Sequence, residues 1–134
     1  MILGFLGKYR DFGLLVLRVG LGAMFLWHGA PKLLGGPEKW EKLGAAMSHV
    51  GVHAVPVFWG FMAGFSEFFG GLGLILGFFF RPACILLTTT MAVAASMHLG
   101  KGEGLQAASH AIEDGIVFLS LLFIGPGKYS IDKK

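Results

Sequence analysis

Apolar residues fall in four long blocks, Phe12–Leu34, Val55–Phe80, Pro82–Leu99 and Leu105–Ile124, with polar residues and helix breakers gathered between them. A helix needs about 20 mostly apolar residues to cross roughly 30 Å of hydrocarbon. The second block, VPVFWGFMAGFSEFFGGLGLILGFFF, has residues to spare, and its apolar positions are not confined to one stripe as on a soluble surface helix. Gly35-Gly36-Pro37, Arg81-Pro82, the turn LGKGEG and Gly125-Pro126-Gly127 break the blocks. Pro31 predicts a kink in the last turn of the first helix, and Pro82 sits in the tolerated first turn of the third. Asp11 is placed to cap the first helix. Between the first two blocks, PEKWEKLGAAMSHV repeats Trp40, Leu43, Met47 and Val50 at helical spacing, with Glu38, Lys39, Glu41 and Lys42 elsewhere. This pattern predicts a short amphipathic helix at the membrane interface, with Trp40 at headgroup depth. The expected fold is an all-α integral membrane protein: one domain, 1–134, a four-transmembrane-helix bundle with an interfacial helix between helices 1 and 2.

Composition agrees. The chain is 54% hydrophobic and 14% charged, against roughly 25% charged in soluble domains. Its 22 Gly and 13 Phe suit packed membrane helices, and the lipid bilayer is the first expected partner. The net charge of +3 comes from loop lysines, with no basic stripe interleaved with aromatics, so nucleic acid is excluded as a partner. The lone Cys84 excludes an intrachain disulfide and a CxxC redox pair, and reads as a small core residue. Leu14–Ala30 is longer than a signal-peptide core of 7–15 residues and lacks a clear cleavage site, so it reads as a retained helix. Four spans put both termini on one side. That side carries Lys8, Arg10, Arg81, Lys128, Lys133 and Lys134, against Lys32, Lys39, Lys42 and Lys101 opposite. The positive-inside rule then predicts that both termini are cytoplasmic.

The ionisable residues inside the spans are the candidate chemistry. A charge near the bilayer centre costs at least about 2.5 kcal/mol and nearly always faces protein. Glu67 lies at the middle of the second block, and Arg18, roughly 10 Å in from the inner boundary, is its first candidate partner. An ion pair locking helices 1 and 2 and a proton relay both fit. Counted at 1.5 Å per residue, His28 and Glu113 both lie roughly 9 Å below the outer boundary, with Glu67 about twice as deep. All five histidines fall in the outer half or outside it. His110, Glu113 and Asp114 share a helix face, and His28 and Lys32 are four apart. His28 and Glu113 or Asp114 are therefore expected to converge in an outer-half pocket rimmed by His98 and Lys32. Such groups serve as metal ligands, proton carriers or hydrogen-bond donors to a quinone carbonyl, or simply fix the packing. His49-x-x-x-His53 reads as a solvated interface pair. Gly60-x-x-x-Gly64 and Gly73-x-x-x-Gly77 read as close-packing surfaces, and Ser66 and Thr88–Thr90 as bonded to their own helix.

LVLRVGLGAMFLWHGAPKLLG, SEFFGGLGLILGFFFRPA and the closing GPGKYSID resemble the DoxX family of small bacterial four-helix membrane proteins. The resemblance covers nearly the whole chain and carries over Arg18, His28, Lys32, Glu67, Arg81 and Gly125-Pro126-Gly127. It implies a multi-pass protein of the bacterial inner membrane with a membrane redox role. Relatives include the small-subunit type of thiosulfate:quinone oxidoreductase, others that join a superoxide dismutase and a sulfurtransferase-like protein in a membrane oxidoreductase assembly, and some that accompany gene clusters for metal-binding peptides. The resulting expectation is a quinone-linked oxidoreductase or a subunit of one, in sulfur-compound or oxidative-stress metabolism, with a partner subunit or a second copy. His28, Glu67 and Glu113 are its candidate catalytic residues, and Arg18, Lys32, His110 and Asp114 its candidate cofactor contacts. The alternatives are a metal-handling protein using His28, His98 and His110 for zinc, copper or iron, and an accessory subunit without chemistry.

Overall fold

The computed structural model describes residues 1–133; Lys134, counted in the charge balance above, lies outside them. A 3-10 segment, Gly4–Tyr9, leads into α1 (Arg10–Leu34). α2 (Pro37–Gly44) continues as a 3-10 segment over Ala45–Val50, followed by α3 (Pro56–Leu76), α4 (Phe80–Gly100) and α5 (Gly104–Ile124). α1 with its leading turn, α3, α4 and α5 are the four helices long and apolar enough to cross a membrane. At 21 residues each, α3 to α5 are about 31 Å long, the thickness of the hydrocarbon layer.

The second block ends earlier than its hydrophobicity predicts. Gly77 takes φ +64°, its N–H bonds to Leu74 O (3.3 Å), and Phe78 N–H reaches Gly73 O (3.1 Å). This crossed pair is the Schellman ending, which needs a left-handed residue after the last helical turn. Phe79, also left-handed at φ +48°, completes the reversal, and α4 starts at Phe80 with Arg81 and Pro82 already in its first turn. Gly73-x-x-x-Gly77 is thus not one packing surface: Gly73 faces Ala83 of α4, and Gly77 ends α3. Asp11 likewise does not cap α1. It lies inside the first turn, and its Oδ1 accepts from Lys128 N–H (3.3 Å) of the C-terminal segment.

α1 packs on α3, α3 on α4 and α4 on α5, while α2 folds back onto α3. Small residues allow this. A Cβ on Gly29 would stand 2.5 Å from Phe68 N and 2.9 Å from Glu67 Cβ, and one on Gly60 would collide with the backbone of Trp40. Trp40 is accordingly half-buried on α3, stacked edge-on to Phe61 (5.1 Å) with Nε1–H bonded to Lys32 O (2.9 Å). The charged face of α2 stays exposed. Phe25, Leu74, Phe80, Leu87, Met91 and Phe118 form the main core. Phe25 meets Phe118 edge-on at 5.0 Å, joining α1 to α5 through side chains. Large exposed side chains such as Trp27, Ile85 and Phe123 ring the outside, where lipid covers them.

Candidate functional site

Among the described residues two charged groups are buried in the bundle, Arg18 and Glu67. Arg18 is fully buried toward the end that carries both termini. Its Nε donates to Leu74 O (2.9 Å), Nη2 to Ile75 O (3.0 Å), and Nη1 to Pro126 O (3.1 Å) and Tyr129 O (2.9 Å). Leu74 and Ile75 lie in the last turn of α3, whose unpaired carbonyls and negative dipole end favour a cation. Arg18 thereby ties α1 to α3 and to the segment after α5. That segment continues the clasp: Ile131 and Asp132 N–H bond to Leu76 O (3.1 Å) and Gly77 O (2.8 Å). The Asp132 carboxylate accepts from Phe79 N–H (3.2 Å) and Phe80 N–H (2.8 Å), capping α4 from 52 residues away in sequence. Nearby, Arg81 Nε donates to Leu122 O (3.0 Å). The expected Arg18–Glu67 pair does not form.

Glu67 pairs with Lys32 instead, Nζ to Oε1 at 2.7 Å, with the Glu67 side chain 4% exposed and that of Lys32 31%. The first turns of α3 run beside α2, so Glu67 comes level with Gly29, roughly one and a half turns below the end of α1. His28 and Glu67 therefore share one layer, where separate depths were expected. Gly29 is what lets the Glu67 backbone reach α1. The second carboxylate oxygen, Oε2, is buried without a hydrogen-bond partner among the described residues; Trp59 Nε1 and Thr88 Oγ1 share that condition. Thr89 and Thr90 bond back to Ile85 O and Leu86 O as expected (2.8 Å each), so Thr88 departs from the pattern. Phe61, Phe65 and Phe69 stack in a row along α3, four residues apart, while Glu67 faces α1 across the helix from them.

The outer polar residues divide. His28 lies against Phe25 (6.2 Å between rings) and within electrostatic reach of Asp114, which His110 Nε2 approaches at 3.4 Å. Asp114 is turned inward, its side chain 17% exposed, whereas His110 is 79% exposed and Glu113 also faces outward. His98 pairs at the far loop with Glu103 (2.7 Å). His49 lies against Gly100 across that end of the molecule. Among the described residues no group of three or more His, Cys, Asp and Glu side chains is arranged to hold a metal ion. His28, His98 and His110 thus do not form one ligand set. The residues missed from sequence are Asp132 and the tail carbonyls, whose partners are distant in the chain.

The DoxX family profile matches residues 13–99. An uncharacterized protein of Haemophilus influenzae is 32% identical over 96% of this chain and 95% of its own length. The inner membrane protein YqjF of Escherichia coli is 29% identical over 94% of each. No solved structure matches. With four membrane-length helices arranged around Arg18 and the Lys32–Glu67 pair, the chain belongs to the DoxX family and is a multi-pass protein of the bacterial inner membrane.

Proposed function

We propose that this protein is the membrane-embedded subunit of a quinone-linked oxidoreductase in which Glu67 carries the proton. The observation behind this reading is the unpartnered, buried Oε2 of Glu67. A carboxylate kept only to fix packing is stabilised by saturating both oxygens, since each unpaired buried oxygen is costly. One oxygen held by Lys32 and one left open suits a group that alternates between charged and protonated forms. Reduction of a quinone to a quinol consumes two electrons and two protons. Both electrons come from a partner subunit; Glu67 delivers the two protons one after the other, recharged each time from the far surface, and the partly exposed Lys32 holds the carboxylate left after each transfer. His28 and Asp114 extend the polar layer toward α5. The experiment is infrared difference spectroscopy of the purified protein with an added short-chain quinone, reduced electrochemically. A carboxyl signal that disappears in Glu67→Gln is expected. An unchanged spectrum in that variant, together with no quinone in the lipid extract of the purified protein, overturns the reading.

A further inference from the structure

The two ends of the bundle carry unlike charge. Toward one end lie Lys32, Lys39, Lys42 and Lys101 against Glu38, Glu41, Glu67 and Glu103, which balance. The end bearing the termini holds Lys8, Arg10, Arg81, Lys128 and Lys133 against Asp11 and Asp132. Both of these carboxylates are committed to the fold: Asp11 accepts from Lys128 N–H, and Asp132 from Phe79 and Phe80 N–H. Among the described residues Lys8, Arg10, Lys128 and Lys133 are exposed and enter no ion pair. Arg10 opens α1, Arg81 is the second residue of α4, and Lys128 follows the end of α5 by four residues. These cations therefore ring the span ends, at the level of the lipid headgroups. Tyr9 and Tyr129 stand beside them, their ring centres 5.3 Å from Lys8 Nζ and 5.1 Å from Lys128 Nζ. Tyrosine is enriched at that depth. The leading segment adds an apolar surface. Ile2, Leu3, Phe5 and Leu6 are exposed, and among the helices Gly4–Tyr9 touches only α1. Residues three apart eclipse in a 3-10 helix, so Phe5 with Lys8 and Leu6 with Tyr9 fill two faces, and Gly4 with Gly7 the third.

We infer that the end bearing the termini binds anionic phospholipid, with Lys8, Arg10 and Lys128 on the headgroup phosphates and Phe5 and Leu6 in the acyl boundary. Charge selects an anionic partner, and depth selects the bilayer. An apolar stretch followed at once by cations is the pattern of a segment that lies in the interface of a negatively charged membrane. The cations stand at the ends of three different spans, which matches the continuous phosphate layer around the bundle. The inference is independent of the proton-carrying role of Glu67.

Native mass spectrometry of the purified full chain, with equal phosphatidylglycerol and phosphatidylcholine added to the detergent, tests it. Retention of phosphatidylglycerol over phosphatidylcholine is expected. Each basic residue near an anionic surface is worth about fivefold in affinity, so Lys8→Gln/Arg10→Gln/Lys128→Gln is expected to cut that preference by at least about tenfold. Lys39→Gln/Lys42→Gln/Lys101→Gln, toward the opposite end, is expected to keep it. Equal retention of the two lipids, a preference that survives the first triple variant, a preference lost in the second, or displacement of the lipid by excess inorganic phosphate overturns the inference. So does a co-purifying protein that is released by the first triple variant while the lipid stays. The leading segment is read separately in liposomes. With Cys84, the buried native cysteine, replaced by Ala, Phe5→Cys carries a polarity-sensitive dye. Its emission is expected to shift to the blue in phosphatidylglycerol relative to phosphatidylcholine, and the shift to vanish when Lys8→Gln and Arg10→Gln are added. The same emission in both lipids overturns the placement of Phe5 in the acyl boundary.

Discussion

Replacing Arg18 by Met tests whether the guanidinium is the keystone of the end bearing the termini. Met fills similar space without the donors. The Leu74 carbonyl keeps the Gly77 N–H, so the carbonyls of Ile75, Pro126 and Tyr129 are the ones stranded. Of these the Pro126 contact is buried and the other two are part-buried; at about 1 kcal/mol for each acceptor left unpaired, the low end of the range, the loss is at most about 3 kcal/mol. For a chain of this length that corresponds to a fall in Tm of about 12 °C. Cys84 supplies the assay. It is the sole cysteine and fully buried, so a thiol-reactive fluorophore reports unfolding as the temperature rises. Arg18→Lys is expected to recover less than half of the loss, because one ammonium has no planar fork to serve carbonyls on α3 and on the tail together. A fall of under about 3 °C for Arg18→Met, less than 1 kcal/mol, refutes the reasoning.

Gly60→Ala pushes a methyl into the backbone of Trp40 and is expected to cost about 1–3 kcal/mol in the same assay, whereas Gly13→Ala, with open space around it, leaves Tm unchanged. Asp132→Ala removes the acceptor for Phe79 and Phe80 N–H and is expected to cost about 1 kcal/mol, with faster hydrogen exchange confined to the first turn of α4. A reporter fused after Lys134 is expected to be active only if it functions in the cytoplasm; activity of a periplasmic reporter reverses the orientation while leaving the bundle intact.

The spans were legible because hydrophobic length alone decides them, and the Gly-Gly-Pro and Gly-Pro-Gly breaks ended the first and last within two residues of their observed limits. The reversal at Gly77–Phe79 was not. Phe78, Phe79 and Phe80 are as apolar as the helices they join, and only a left-handed Gly77 ends α3 there. The partner of Glu67 was misjudged for a geometric reason. Depth counted along each helix from its own end misplaces Glu67, because α3 begins beside α2, which shifts Glu67 toward Lys32 and away from Arg18. The role of Asp132 was invisible because a cap supplied from 52 residues away leaves no local pattern.

The contrast between the two buried charges bears on where chemistry resides. Arg18 directs donors from all three of its nitrogens at main-chain carbonyls and has no exposed surface, so its donors are committed to the fold. Glu67 differs in a way that Lys32 does not account for. Lys32 lies within three residues of the end of α1, and its side chain is already 31% exposed, so it can reach the interface by extending and needs no carboxylate to be tolerated there. Replacing a buried ion pair by apolar residues is commonly neutral or stabilising, so packing alone gives no reason for a carboxylate at this position. With Oε1 held by a partly exposed cation and Oε2 buried and unbonded, the pair has the geometry that the proposed role asks for, in which Glu67 takes a proton from the far side of the membrane and releases it inside the bundle.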